Sequence, residues 1–223
     1  MIYLDHNATS PLLSRSREAM LAALSTPGNA SSVHGPGRSA RARVEEAREN
    51  IARLVNTSSG GIVFTAGGSE ANALALRGAV AGALAAEDRI TRIFVSAIEH
   101  ESITANSHAL SQSVAGIRLT ELAVHSNGLV DTDAFRVQLM QGKGRALVSI
   151  MAANNETGVV QPIKDVIAIT RKECRGDALV HVDAAQFVGR LPISFDALDV
   201  DYMTVSAHKF GGPQGVGALI IRE

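Results

Sequence analysis

The sequence predicts an α/β fold: a mainly parallel sheet covered by helices on both faces. Three observations predict it. Strand-like runs alternate with stretches of helical spacing from Ile62 to the end of the chain. With 223 residues, 46% hydrophobic and 19% charged, the chain can bury a sizeable core. Aromatic residues are only 4% while alanine is abundant, which suits helices packed closely on a sheet.

The elements follow in order. Residues 1–11 read as an extended N-terminal arm with Pro11 as a helix-start signal, and Leu12 to Leu24 has helical spacing. Thr26 to Arg38 is a loop by composition, rich in Gly, Pro, Ser and Asn. Ser39 to Val55 is a long helix with Val44, Ala47, Ile51 and Leu54 on one face. Ile62 to Thr65 is a strand, Ala66-Gly67-Gly68 turns the chain, and Ser69 opens a helix reaching about Ala86. Strands follow at Arg92–Ala97, Ile117–Leu122, Ala146–Met151 and Ala178–Val182. Helices at Glu101–Ser111, Asp131–Met140 and Ile163–Cys174 separate them, the second opened by an acidic cap. Tyr202–Ser206 and Val216–Ile221 are the last strands. No repeat, low-complexity tract or linker divides residues 1–223, which read as one domain, and no second lobe is expected after the final strand.

Composition narrows the partners. A net charge of −1 without a basic block argues against nucleic acid or an anionic membrane. The single cysteine, Cys174, excludes an internal disulfide framework and suits a reducing compartment. Met1 to His6 lacks the basic start and apolar core of a signal peptide, and no apolar stretch approaches a membrane span, so a cytoplasmic location is expected. No residue is assigned to a metal.

Ligands of such sheets bind at the carboxyl ends of strands, and five groups fall there. Gly68 and Ser69, between a strand and a helix, can present backbone N–H groups and a hydroxyl to an anion; a Gly-Gly turn before an N-cap serine is also ordinary structure. His100 can lie flat on an aromatic ring and move a proton, or be a surface imidazole. Asn154 and Asn155 can bind a carboxylate or ring oxygen, or form a turn. Asp183 ends an apolar strand, where a carboxylate needs a partner such as a protonated pyridine nitrogen; alternatively it caps the next turn. Gln186, three residues on, can reach a phenolic oxygen of the same ring. Lys209 lies between a strand end and a glycine-rich turn, beside Ser206 and His208, which can bind a phosphate. A lysine desolvated there is suited to a Schiff base with pyridoxal phosphate, although a lone lysine is more often a solvated loop cation. Together, in this order, the groups serve one cofactor, with Asp183 keeping its ring an electron sink.

At this point the chain resembles the class V aminotransferase family of fold-type I pyridoxal-phosphate enzymes, and within it the NifS/IscS-type cysteine desulfurases. The resemblance is carried by Tyr3 to Thr9, Gly28 to His34, Phe64 to Asn72, Glu99-His100, Val148 to Met151, Asn154 to Ile163, His181 to Gln186 and Ser206 to Lys209. It implies the large, cofactor-binding domain of that fold, with Lys209 as the cofactor lysine and Gly68, Ser69, Ser206 and His208 around the phosphate. It also implies His100 stacked on the ring, Asp183 at the ring nitrogen, Gln186 at the ring oxygen and Asn155 near the substrate carboxylate. The implied reaction converts L-cysteine to L-alanine and leaves sulfur as an enzyme persulfide, for iron–sulfur cluster or other thio-cofactor assembly. A homodimer and a sulfur-acceptor or scaffold protein are the implied partners. Gly68 and Ser69 stand where relatives often have Ala and Thr, and Phe210-Gly211 replaces a more usual aliphatic-Tyr pair. The family's mobile-loop cysteine, its substrate-carboxylate arginine and its small domain have no counterpart in these 223 residues. Cys174 lies in the wrong place for the nucleophile. The chain is therefore expected to be truncated relative to the family and inactive alone. Transamination, selenocysteine lysis and a non-catalytic cofactor-binding or dimerising scaffold are the alternatives.

Overall fold

The computed structural model describes residues 2–175 and 177–223. Met1 of the predicted arm lies outside the described residues. The elements are helices α1 (Ser14–Leu24) and α2 (Gly35–Val55), strand β1 (Ile62–Thr65), α3 (Gly68–Ala85), β2 (Ile90–Ser96), α4 (Glu101–Ser113) and β3 (Arg118–Leu122). They continue with α5 (Thr132–Gln141), β4 (Arg145–Met151), α6 (Ile163–Glu173), β5 (Ala178–Asp183), α7 (Phe195–Leu198), β6 (Tyr202–Ser206), a 3₁₀ turn (Ala207–Lys209) and β7 (Gly217–Ile221).

The strands form one sheet in the order β1-β7-β6-β5-β4-β2-β3. Neighbours from β3 to β6 pair in parallel, and β7 is antiparallel to both β6 and β1. Only β7 therefore runs against the rest, and the other strands point their carboxyl ends to one edge. Successive strand residues enter different cores. Ile93 and Val95 pack with α3 and α4, whereas Phe94 packs with α5 and α6; Leu147 and Val148 divide in the same way. On α3 the buried residues Ala71, Ala75, Ala79 and Ala83 recur every four positions, and these small side chains set the helix close to the sheet. Among the described residues no helix is long and apolar enough to cross a membrane.

Most departures from the sequence reading are at element ends. The largest is α2, which starts inside the predicted loop, at Gly35. Its N-cap is His34, whose side chain accepts from the Gly37 N–H at 3.3 Å. Proline fits the first turn of a helix, since its missing N–H would have no partner there. Gly37 is required by close approach: a Cβ would sit 2.3 Å from the Ser32 carbonyl oxygen. Helix α1 starts at Ser14 rather than Leu12, and α6 ends before Cys174, which is its C-cap. The one-turn α7, capped by Ser194, was not anticipated, being too short for a periodicity to register.

Another glycine brings the site together. A Cβ on Gly217, at the start of β7, would lie 2.7 Å from the Gly67 carbonyl carbon and 2.9 Å from the Val205 oxygen. Its absence lets the turn after β1 reach the end of β6.

Two buried titratable groups tilt stability in opposite directions. His181, inside β5, has Nδ1 2.9 Å from Ser149 Oγ and Nε2 3.0 Å from Thr204 Oγ1, and burial pushes its pKa down to about 3. Between that value and the unfolded value near 6.5, the unfolded chain binds a proton that the folded chain refuses. The contribution of neutral His181 is thus complete above about pH 6.5 and is lost as pH falls toward 3. Glu99 has the opposite sign. Burial raises its carboxyl to about 8, so its contribution is complete below its ordinary value of 4.5 and is lost as pH rises through 8. We predict that His181→Gln removes a slope of up to about 1.4 kcal/mol per pH unit below pH 6.5. Urea midpoints at pH 6.5 and 4.5 measure it; equal pH dependence in variant and wild type would disprove it.

Candidate active site

A cavity of about 200 Å³ lies at the carboxyl ends of the sheet's parallel strands. The nine residues that the resemblance assigns to the site all line it. Gly68 and Ser69 are at the head of α3, His100 follows β2, and Asn155 follows β4. Asp183 ends β5 with Gln186 just beyond, and Ser206, His208 and Lys209 come from the end of β6 and its 3₁₀ turn.

Local structure divides the adjacent amides. Asn154 is a turn residue: its Oδ1 accepts from the N–H groups of Glu156 and Thr157, both at 2.9 Å, and its Nδ2 donates to the Ile98 carbonyl at 3.1 Å. Asn155 alone faces the cavity. Ser69 is not an N-cap. That position is Gly67, which offers no side-chain acceptor, so no capping side chain competes for the N–H groups opening α3. Gly68 is packed against Ser206, where an added Cβ would meet the serine Cβ at 3.2 Å.

The charged groups are set by burial and by each other. Asp183 is 6% exposed. Its Oδ1 accepts from the Ala185 N–H at 3.0 Å and its Oδ2 from Asn72 Nδ2 at 2.7 Å. Burial pushes the carboxyl above the ordinary range, while these two donors and the charges of His100 and Lys209 pull the other way. Lys209 is half-buried. Desolvation holds its amine below the usual lysine range, Arg190 adds repulsion, and Asp183, Asp5 and Glu156 oppose the shift. His208 is likewise lowered by burial and by Lys209. Beneath the cavity, Glu99 Oε1 accepts from Ser96 Oγ at 2.6 Å and from the Met151 N–H at 2.8 Å, bridging the ends of β2 and β4.

The N-terminal arm crosses the site in a way its composition did not suggest. Lys209 Nζ donates to the carbonyls of Asn7 at 2.6 Å and Ala8 at 3.1 Å, and Gln186 Nε2 donates to the same Asn7 carbonyl at 2.8 Å. Arg190 fastens the arm through Asn7 Oδ1 at 2.9 Å and the His6 carbonyl at 3.0 Å. His208 Nδ1 lies 3.1 Å from Thr9 Oγ1. Asn7, Arg190, Asn72 and Ser102 were not singled out in the sequence. For Asn72 a signal existed, since it lies four residues after Gly68 on the same helix face. Cys174 is half-buried at the C-cap of α6, away from the cavity lining, and burial raises its thiol.

A buried carboxylate, a desolvated lysine and a helix head open to an anion lie at one sheet edge, an arrangement that suits a pyridoxal-phosphate-dependent enzyme of the α/β type. The chain belongs to the aminotransferase class-V family, whose description matches residues 2–223. It is 42% identical over 223 residues to the cysteine desulfurase IscS of Dictyoglomus turgidum, covering 100% of this chain and 54% of that protein. A solved NifS-like protein superposes with a TM-score of 0.90 at 37% identity, covering all of this chain and 59% of the other. A structure described as SspA in complex with cysteine gives a TM-score of 0.90 at 30% identity, covering 100% and 62%. The chain thus spans about half the length of the curated relatives it matches.

Pyridoxal phosphate is the cofactor of this family, and the residues present fit it. Asn72 Oδ1 and Gln186 Oε1 are buried in the cavity wall without a hydrogen-bond partner among the described residues. The head of α3, with the hydroxyls of Ser69 and Ser206 and the imidazole of His208, is a donor set for a phosphate dianion. Asp183 is a buried carboxyl group whose two oxygens both accept hydrogen bonds, suited to pairing with a ring cation.

Proposed function

We propose that this chain is the cofactor-binding part of a cysteine desulfurase, acting on L-cysteine to give L-alanine and passing the sulfur to a cysteine thiol as a persulfide. The observation that carries the reading is the convergence of Lys209, Asp183, His100 and the α3 phosphate cradle on one cavity. The names of the relatives, cysteine desulfurase and NifS-like protein, support the choice of reaction. Iron–sulfur or thio-cofactor assembly, a sulfur-accepting protein and a two-fold dimer belong to the same proposal.

Bound in the cavity, pyridoxal phosphate supplies an electron sink. The chain's residues do the rest. Ser69, Ser206, His208 and the first N–H groups of α3 hold the phosphate. Asp183, itself nearly buried, would pair with the ring nitrogen and keep its proton there. His100 would pack on the ring, Gln186 would meet the ring oxygen and Asn155 the substrate carboxylate. Lys209, its basicity lowered by desolvation, would hold the cofactor and carry the proton to and from the substrate.

The test is a titration of the cofactor-loaded chain with amino acids. L-cysteine should change the cofactor absorbance at lower concentration than other amino acids, and no keto acid should form. A stoichiometric keto acid would instead identify a transaminase, and a preference for selenocysteine a selenocysteine lyase. Cys174 does not line the cavity and burial raises its thiol, so we predict no sulfide release that depends on it. Turnover shown by the chain but lost in Cys174→Ser would refute this. Light scattering on the same preparation should give a dimer, and a monomer at high concentration would remove that part of the proposal.

A further inference from the structure

Two polar residues of the cavity wall, Asn72 and Ser102, have no role in the chemistry proposed above, yet they connect two residues that do. Asn72 is 2% exposed. Its Nδ2 donates to Asp183 Oδ2 at 2.7 Å and to Ser102 Oγ at 2.9 Å, so both amide hydrogens are used. Ser102 Oγ lies 2.8 Å from His100 Nδ1, and the Ser102 main-chain N–H donates to the same nitrogen at 3.1 Å. A main-chain N–H can only donate, so Nδ1 is the acceptor and the neutral ring carries its proton on Nε2. Since Ser102 Oγ already accepts from Asn72, its own hydrogen is free to point at Nδ1.

The direction of this chain is set at Asp183. An ionised carboxylate only accepts, which holds the NH₂ of Asn72 toward it and toward Ser102. A neutral, hydrogen-donating group in its place would favour the turned-over amide. Its oxygen would then accept from both sides, and the Ser102 hydroxyl would no longer donate to His100. In the present direction Asn72 Oδ1 is buried and unpartnered, the unused alternative of the same amide. We infer that Asn72 and Ser102 are positioning residues that tie the charge of Asp183 to the hydrogen bonding of His100, so that these two groups respond as one unit. The inference takes its functional meaning from the proposed cofactor site, but the hydrogen bonds are the chain's own and can be tested without cofactor.

The experiment is nitrogen-15 spectroscopy of histidine-labelled, cofactor-free chain, with the His100 signals assigned by their loss in His100→Asn. Asp183→Asn should shift the His100 Nδ1 resonance although the two side chains share no hydrogen bond. Ser102→Ala should cancel most of that response, and Ser102→Thr, which keeps the hydroxyl, should preserve it. An equal response in the Ser102→Ala background would mean a direct field effect and would overturn the inference, as would no response in the wild-type background. Should Asp183→Asn fail to fold, Asn72→Ala provides the second cut, with a shift expected in the wild-type background and its absence again decisive. Titration of the wild-type chain with pyridoxal phosphate is read separately: failure to bind would sink the cofactor site while leaving the relay standing.

Discussion

Lys209→Ala should abolish covalent capture of pyridoxal phosphate by borohydride, while wild-type chain is labelled at Lys209 alone. The sequence contains four lysines, and the others, Lys143, Lys164 and Lys172, do not line the cavity. An amine traps a carbonyl only as the free base. Burial and the Arg190 guanidinium lower the pKa of Lys209, which favours that form near neutrality. The carbonyls of Asn7 and Ala8 work against this, because they accept hydrogen bonds from the ammonium as the arm lies across the site. Loading should therefore require these two bonds to break, and the amine to exchange them for the cofactor. Peptide mapping after reduction reads the result. Label on Lys143, Lys164 or Lys172 in the wild-type chain, or undiminished label in Lys209→Ala, would overturn the assignment.

Asp183→Asn should slow α-deuterium exchange into an amino acid by on the order of 100-fold or more, with the fold retained. Exchange at the α-carbon needs the electron sink but no thiol, so the chain can be measured by itself. The carboxylate is nearly sealed from water, where a charge paired with a ring cation acts at low dielectric. Both of its oxygens accept, from the Ala185 N–H and from Asn72. An asparagine turned with its NH₂ toward Asn72 loses the charge, and the Asn72 amide must turn over to accept from it. The sheet pairing of Asp183 with Met151 and Thr204 is main-chain and survives the change. Exchange within about threefold of wild type, where a lost charge-assisted bond should cost more, would remove Asp183 from this role.

The site was legible wherever chemistry is local to a strand end. Lys209 follows β6, Asp183 ends β5, and Gly68-Ser69 follow β1; each carries its own side-chain type and sits at the predictable edge of a parallel sheet. Residue type alone could not separate Asn154 from Asn155, which only the resemblance singled out, because the turn that uses one and frees the other is a matter of backbone geometry. The head of α2 was missed because Gly35-Pro36-Gly37 has a loop's composition, and only the close approach of Ser32 explains why glycine stands in that helix.

By itself the sequence determined the alternation of strands and helices, since apolar spacing records which face of each element is buried. It also determined the residue types at each strand end, and through them the cofactor chemistry. Only the tertiary structure decided what those residues touch. Asn72 meets Asp183 across 111 positions of chain, and the Asn7 carbonyl meets Lys209 across 202. Such contacts leave no periodicity in the sequence. They depend on how far each helix slides on the sheet and on where an arm of irregular backbone comes to rest, and those are fixed by packing and by hydrogen bonds between distant segments.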